Sequence, residues 1–247
     1  MLSKRLIKYF KSLQLKKYRH QEAKFIVEGA KGVEEVLKSD FQVDYLLITT
    51  AYKSTLTADL INRAKEIIEV KESDLSAVGT FSSNNAAIAI VSMRAQSETP
   101  IPDHQLVLAL DDVRDPGNLG TIIRIADWYG IKNIVCSRES ADYYNPKVIN
   151  SSMGSFTRVS VVYADLEKWL SEVNQPIYGA LLKGDSIYKT ALGRSGVLLM
   201  GNESQGIKDE LGRLITHSIH IPRRGGAESL NVAIATAVIL DNFFREG

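Results

Sequence analysis

Apolar and polar residues alternate along this chain in two successive bouts, each mixing helix-like with strand-like periods. A basic helical start is followed by the apolar run Phe25 to Glu28, a helix near Ala30 to Lys38 and a strand from Val43 to Ile48. A helix near Leu56 to Lys65 and a strand from Ala87 to Val91 complete this first bout. Arg94 to Asp103 then breaks both periods with two prolines in a polar run, which is the pattern of a linker. The expected division is a small α/β domain over 1–94, a linker over 95–104 and a second domain over 105–247.

Beyond the linker the alternation restarts. Strands are expected at Leu106 to Leu110, Ile134 to Cys136, Arg158 to Val162, Ile177 to Leu182, Val197 to Met200 and Ser218 to Ile221. Helices fall at Thr121 to Trp128, Leu166 to Val173 and Ser229 to Phe244. Continuous apolar strands separated by helices predict a parallel sheet covered on both faces, so the fold class is α/β. From Leu230 to Leu240 only Asn231 and Thr236 are polar, and a helix apolar around its whole circumference does not lie on a solvated surface. Either it is buried between the sheet and another helix, or one face meets a partner subunit.

Composition changes this picture little. The 247 residues carry a formal net charge of +1, so affinity for nucleic acid has to come from local patches and not from the overall field. The single cysteine, Cys136, lies in an apolar strand run where a buried thiol is expected, and it has no internal partner for a disulfide. A reducing, cytoplasmic setting fits. Charges interrupt the start too often for a signal segment, and the most apolar stretch, Val232 to Leu240, is too short to span a bilayer.

Three junctions share one design: an apolar strand ends, a loop rich in Gly and Asn follows, and a helix begins. They are Leu108 to Arg124 around Asp115-Pro116-Gly117-Asn118, Leu198 to Gly206 around Gly201-Asn202-Glu203, and Ile219 to Val232 around Glu228-Ser229-Leu230-Asn231. Such loops at strand carboxyl ends are where open α/β sheets bind ligands, with glycines allowing close backbone approach and Asn or Ser supplying neutral hydrogen bonds. Taken singly, each also fits ordinary capping, with Asn118 and Ser229 as N-cap candidates. Arg124 stands six residues beyond Asn118 on an otherwise apolar helix face, either as a surface ion-pair residue or as a bidentate grip on phosphate. A dinucleotide fingerprint, a P-loop and a nucleophile elbow are absent, which argues against a nucleotide-dependent oxidoreductase. His217 and His220 point to opposite faces of a strand, so no metal is expected.

These three motifs, in order and spacing, resemble those of SpoU-type (TrmH-like) RNA methyltransferases, over everything from about Leu106 to the C-terminus. The first segment more weakly resembles the small α/β RNA-binding domain that many members carry. The resemblance implies a C-terminal trefoil knot holding S-adenosylmethionine, a homodimer formed through the knot and the terminal helix, and methylation of a ribose 2′-hydroxyl in rRNA or tRNA. Carried over by motif position, Asn118, Arg124, Glu203, Ser229 and Asn231 would form the active site, with Ala180, Met200, Gly201, Ile221 and Leu230 around the cofactor. Relatives often carry Arg where this chain has Asn150, which weakens the expected grip on RNA phosphate.

RNA binding is expected from Lys4, Arg5, Lys8, Lys11, Lys16, Lys17 and Arg19, which all precede the first acid, Glu22, with Tyr9, Phe10 and Tyr18 available for stacking. A solvated helix face is the plainer account of the same run. The rival reading of the whole is a non-catalytic RNA-binding or ribosome-assembly factor that keeps the methyltransferase fold, and the intact motif set argues against it.

Overall fold

Ser3 opens the first helix by accepting a hydrogen bond from the Leu6 amide, and the helix turns its apolar residues onto a sheet that the next ninety residues build. The computed structural model describes residues 2–95, 99–100, 103–202 and 204–245. In chain order the elements are α1 (Lys4–Ser12), α2 (Lys16–Glu22), β1 (Lys24–Glu28), α3 (Ala30–Lys38), β2 (Val43–Ile48), α4 (Thr50–Lys53), α5 (Ala58–Ile61), β3 (Ala64–Glu69), α6 (Glu72–Val78) and β4 (Ala87–Ser92). There follow β5 (Leu106–Leu110), α7 (Pro116–Trp128), β6 (Asn133–Ser137), α8 (Pro146–Ser151), β7 (Ser160–Ala164), α9 (Leu166–Ser171), β8 (Ile177–Ser186), β9 (Gly196–Met200), α10 (Asp209–Gly212), β10 (His217–His220) and α11 (Val232–Phe244).

The chain divides into two compact units, Met1–Ala95 with Asp142–Thr157, and Gln96–Ala141 with Arg158–Gly247. The segment 142–157, read from sequence as part of the second domain, therefore packs with the first unit. The expected linker at 95–104 lies partly outside the described residues.

In the first unit the sheet runs β1-β4-β2-β3, with β4 antiparallel to both neighbours and β2 parallel to β3. Phe10 and Leu13 are fully buried in a core with Ile26, Leu47, Leu75, Ile88 and Ile90. Burying a side chain of that size stabilises by about 1.5–3 kcal/mol, so α1 is held by its apolar stripe while its lysines stay in water. The stretch expected as a helix near 56–65 is instead a single turn, α5, followed by the edge strand β3. Its charged residues Lys65, Glu66 and Glu69 are exposed, as befits an edge guarded against further pairing.

One carboxylate joins all four strands of this sheet. Asp44 on β2 is buried and accepts from Lys24 on β1, from Ser92 Oγ on β4 at 2.7 Å and from Lys65 Nζ on β3 at 3.0 Å. Burial alone would raise its pKa, but the bonds from Lys24, Ser92 and Lys65 outweigh burial and hold it well below the usual carboxylate range.

Arg19 corrects the sequence reading. It is 1% exposed, donates to the carbonyls of Leu13 and Gln14, and pairs with Asp142 at 2.5 Å. An arginine so enclosed is not available to RNA phosphate, and Phe10, fully buried, is not available to stack on bases. Lys4, Arg5, Lys8, Lys11, Lys16 and Lys17 are exposed, as expected.

In the second unit six strands run β10-β8-β9-β5-β6-β7 and every pair is parallel, as the apolar runs predicted. The core on one face gathers Val107, Ala109, Val135, Trp169, Val197 and Leu199. Cys136 on β6 is buried, and burial pushes its thiol pKa far up. No helix among the described residues is long and apolar enough to cross a membrane.

Asp44→Asn should destabilise the protein by about 2 kcal/mol, the scale of a hydrogen bond to a charged group discounted for the exposed ends of its lysines. Because the folded carboxyl titrates below its unfolded value, this contribution is complete above pH ~4 and is lost as the pH falls through the folded pKa. Urea unfolding of both proteins should show a constant gap from pH 7 to 5 that closes at lower pH.

Candidate active site

An all-parallel sheet puts every strand-to-helix turn on one edge, and in the second unit those turns carry the expected site residues. After β5 the chain enters Asp111 and Asp112, both buried, and Asp112 takes a left-handed φ of 58° that an aspartate tolerates better than most residues. Asp111 Oδ2 accepts from the Lys208 amide at 3.0 Å, with Lys208 Nζ 3.4 Å from Oδ1. Burial lowers the Lys208 ammonium pKa, but the Asp111 charge and hydrogen bond outweigh it and the net shift is upward.

The cap of α7 is Asp115, not Asn118. Its Oδ1 accepts from the Asn118 amide at 2.9 Å, and Pro116 fills the first helical position, where a missing N–H costs nothing. The Asn118 side chain is therefore not the cap of its own helix. Likewise α11 is capped by Asn231 and not Ser229: Asn231 Oδ1 accepts from the amides of Ala233 at 3.0 Å and Ile234 at 3.3 Å. The other end of the same side chain, Asn231 Nδ2, donates to Asn118 Oδ1 at 2.9 Å. Two helix N-termini 113 residues apart in sequence are thereby joined through one pair of amides.

The middle motif is tied in by a residue the sequence reading left off its site list. Asn202 Nδ2 donates to the Asp112 carbonyl at 2.9 Å, while its Oδ1 accepts from the amides of Ser204 and Gln205. The loop closes on itself through paired backbone bonds between Asn202 and Gly206. A Cβ at Gly201 would come within 2.3 Å of the Gly206 backbone, so only glycine fits there. The sole sequence signal for Asn202 was its place between two glycines in the second motif.

Of the expected catalytic set, Asn118 and Asn231 are brought together. Arg124 is exposed and holds no partner among the described residues. Six residues on from Asn118, it is roughly a third of a turn out of phase with it on α7. Ser229 is exposed and likewise without a partner among the described residues, and Glu203 lies outside them. Of the expected cofactor residues, Met200 ends β9 and Gly201 follows it, Ile221 follows the end of β10, and Ala180 lies within β8 just past its last pair with β9, where its pairing with β10 shifts register before resuming at Asp185. Met200, Gly201 and Ile221 thus lie at the carboxyl ends of two of the parallel strands, with Ala180 on the strand between those two, and all four are neutral. Leu230 is 47% exposed in the last loop. Among the described residues no cluster of His, Cys, Asp and Glu has the arrangement of a metal site.

A parallel α/β unit with three Gly/Asn turns at one edge, two of them clasped by amides, is the class of ligand-binding domain that the strand and turn pattern led one to expect. The profile of the SpoU rRNA Methylase family matches residues 105–241, and that of the MRM3-like substrate binding domain matches residues 4–89. The chain belongs to the SpoU rRNA methylase family. It is 32% identical, over 95% of its own length and 94% of the relative's, to the 23S rRNA (guanosine(2553)-2'-O)-methyltransferase RlmP of Bacillus subtilis. Among solved structures, it is similar to a TrmH-family protein from Porphyromonas gingivalis, with 36% identity, a TM-score of 0.88 and 98% of each chain covered. It is also similar to an AdoMet-bound rRNA methyltransferase from Sinorhizobium meliloti, with 30% identity and a TM-score of 0.87 over 98% of this chain and 95% of that one.

The amide clasp predicts an energetic coupling. Asn231→Ala should cost about 1 kcal/mol from the lost cap alone, and Asn118→Ala should cost less. A double-mutant cycle by urea unfolding should return a coupling of about 0.5 kcal/mol or more. Simple additivity would show that the bond contributes nothing to stability.

Proposed function

We propose that this chain transfers the methyl group of S-adenosylmethionine to a ribose 2′-hydroxyl of RNA, with rRNA as the target class. The observation that carries the proposal is the Asn118–Asn231 clasp at the carboxyl edge of the parallel sheet, in a chain of the SpoU family. Family relatives named as 23S rRNA 2′-O-methyltransferases support the reaction and the target, and an AdoMet-bound neighbour supports the cofactor.

The residues present fit such a cofactor. Ala180, Met200, Gly201 and Ile221 offer backbone groups and apolar surface without a charge that would repel a sulfonium, and Gly201 lets the loop after β9 close tightly on its own backbone at Gly206. When bound, the cofactor supplies an electrophilic methyl group. The protein's part is to position the ribose oxygen and to stabilise charge as its proton leaves. We assign the second task to Arg124, whose guanidinium is exposed and without a partner among the described residues. Asn118, Asn231, Ser229 and Glu203 are assigned to orienting the reacting groups.

The same proposal includes a trefoil knot formed by the chain after β9, a cytoplasmic setting, and an RNA-holding role for the first unit through Lys4, Arg5, Lys8, Lys11, Lys16 and Lys17. It also includes a homodimer. α7 and α11 pack together and leave Trp128 on the first and Ile234 on the second exposed at 84% and 53%. Apolar surface of this kind on a helix pair is what a partner subunit would cover.

Arg124→Ala should slow single-turnover methyl transfer by about a hundred- to a thousandfold while leaving S-adenosylmethionine affinity and stability nearly unchanged. Arg124→Lys keeps the charge but loses the planar fork, and should recover only part of the rate. Equal loss of cofactor affinity and rate would remove Arg124 from this role.

Trp128→Glu combined with Ile234→Glu should convert a dimer to a monomer in light scattering. A wild-type protein that is monomeric at micromolar concentration would remove the dimer from the proposal.

A further inference from the structure

The first unit contains a cavity of about 220 Å³ that none of the expected RNA-binding residues line. It is far larger than a single water requires, about 10–15 Å³ by the same kind of measure. Its walls are apolar: Val27 at the end of β1 and Ile149 on α8 are buried, while Phe81 and Met153 stand at 39% and 45% exposure. Two large apolar side chains left in water beside a cavity are what a stacking ligand would cover. Gly29 sets one wall. It sits at φ 86°, and a Cβ there would lie 3.0 Å from the Phe81 ring, so glycine is what lets the aromatic ring lie against the backbone.

The polar groups of the cavity are few and defined. Glu28 is 4% exposed and its carboxylate is saturated: it accepts from the Thr80 amide and hydroxyl, from the Phe81 amide at 3.2 Å and from Asn150 Nδ2 at 3.3 Å. The first three bonds hold the Phe81 loop in place. The fourth fixes the Asn150 amide, leaving one N–H and the carbonyl oxygen without a partner among the described residues. A donor beside an acceptor on a planar amide matches the edge of any nucleobase, which presents the same pair. Lys31, exposed at the rim in the first turn of α3, supplies a cation for the adjoining phosphate.

We infer that this cavity receives one unstacked RNA base, held against Phe81 and Met153 and read at its edge by Asn150. The inference rests on the RNA-substrate reading above and adds where and how an unpaired nucleotide is gripped. It also gives Asn150 a role: where an arginine would reach for phosphate, the shorter amide leaves the cavity open and addresses the base. Proteins that read single-stranded RNA commonly combine these parts, an aromatic platform and an edge-reading side chain.

The test uses the full-length protein and two RNA hairpins, one with a single-nucleotide bulge and one with an abasic residue at the bulge, so that phosphate charge is identical. The wild type should bind the bulged hairpin about five- to a hundredfold more tightly than the abasic one. Phe81→Ala should erase most of that ratio and Phe81→Tyr should restore it, with thermal melting and S-adenosylmethionine affinity reporting that both variants are folded. Asn150→Leu, which leaves Glu28 its other three donors, should reduce the ratio about two- to tenfold. Equal binding of the two hairpins by the wild type, or an unchanged ratio in Phe81→Ala, overturns the base pocket while leaving RNA binding by the unit intact. Failure to bind either hairpin at micromolar concentration overturns the pocket together with the RNA-binding role of the first unit.

Discussion

Parallel pairing is the constraint on which the second unit depends. Strands that all run the same way must return through crossovers, so their carboxyl ends, and the turns that follow them, collect on one edge. Each turn there also has to satisfy the open amides at the start of a helix. In this chain the residues that do so are bifunctional. Asp115 takes the first turn of α7, and Asn231 takes the first turn of α11 with one end of its amide while holding Asn118 with the other. Asn202 follows the same logic, turning its own loop with its oxygen and clasping the Asp112 carbonyl with its nitrogen. Capping, which every α/β protein needs, here doubles as the assembly of a site.

The central strands were legible in the sequence because burial on both faces leaves an uninterrupted apolar run, as at Leu106 to Leu110 and Val197 to Met200. The edge strand β3 was not, since Ala64-Lys65-Glu66-Ile67-Ile68-Glu69 has one face in water and only part of an apolar stripe, a pattern that also suits a short helix. Helix starts were misplaced for a related reason, α7 late at Thr121 and α11 early at Ser229. Asn118 and Ser229 are good caps in isolation, but choosing among Asp115, Asn118, Ser229 and Asn231 depends on which side chain is needed elsewhere. That is tertiary information. The membership of 142–157 in the first unit was equally out of reach, because nothing local marks Asp142 as the partner of a buried Arg19.

Site residues divide along the same line. Glycines and asparagines in strand-to-helix turns could be recognised because backbone geometry demands those types, and the motif order made them specific. Charged residues could not be assigned by type. Lys16, Lys17 and Arg19 look alike in the basic run, yet two are exposed and the third is enclosed by Leu13, Gln14 and Asp142. The difference lies in the turn between α1 and α2, whose carbonyls need a donor from inside, and guanidinium can give several at once. A basic run therefore overstates the surface charge it delivers.

That division of labour bears on why a chain with a net charge of only +1 can serve an anionic substrate. A sulfonium cofactor is disfavoured by nearby cations, whereas an RNA backbone requires them, so a uniformly basic protein would weaken one partner in order to hold the other. Here the exposed lysines of α1 and α2 lie in the first unit, and Ala180, Met200, Gly201 and Ile221 in the second are neutral. Arg124 and Glu203 are the charged residues among those assigned to the second unit's site, and Arg124 lies on α7 out of phase with the amide clasp. Screening shortens the reach of exposed charges to about 8 Å at physiological salt. The near-zero total is simply 30 basic against 29 acidic residues over the whole chain, so what each ligand meets is set by where the charges lie and not by their sum.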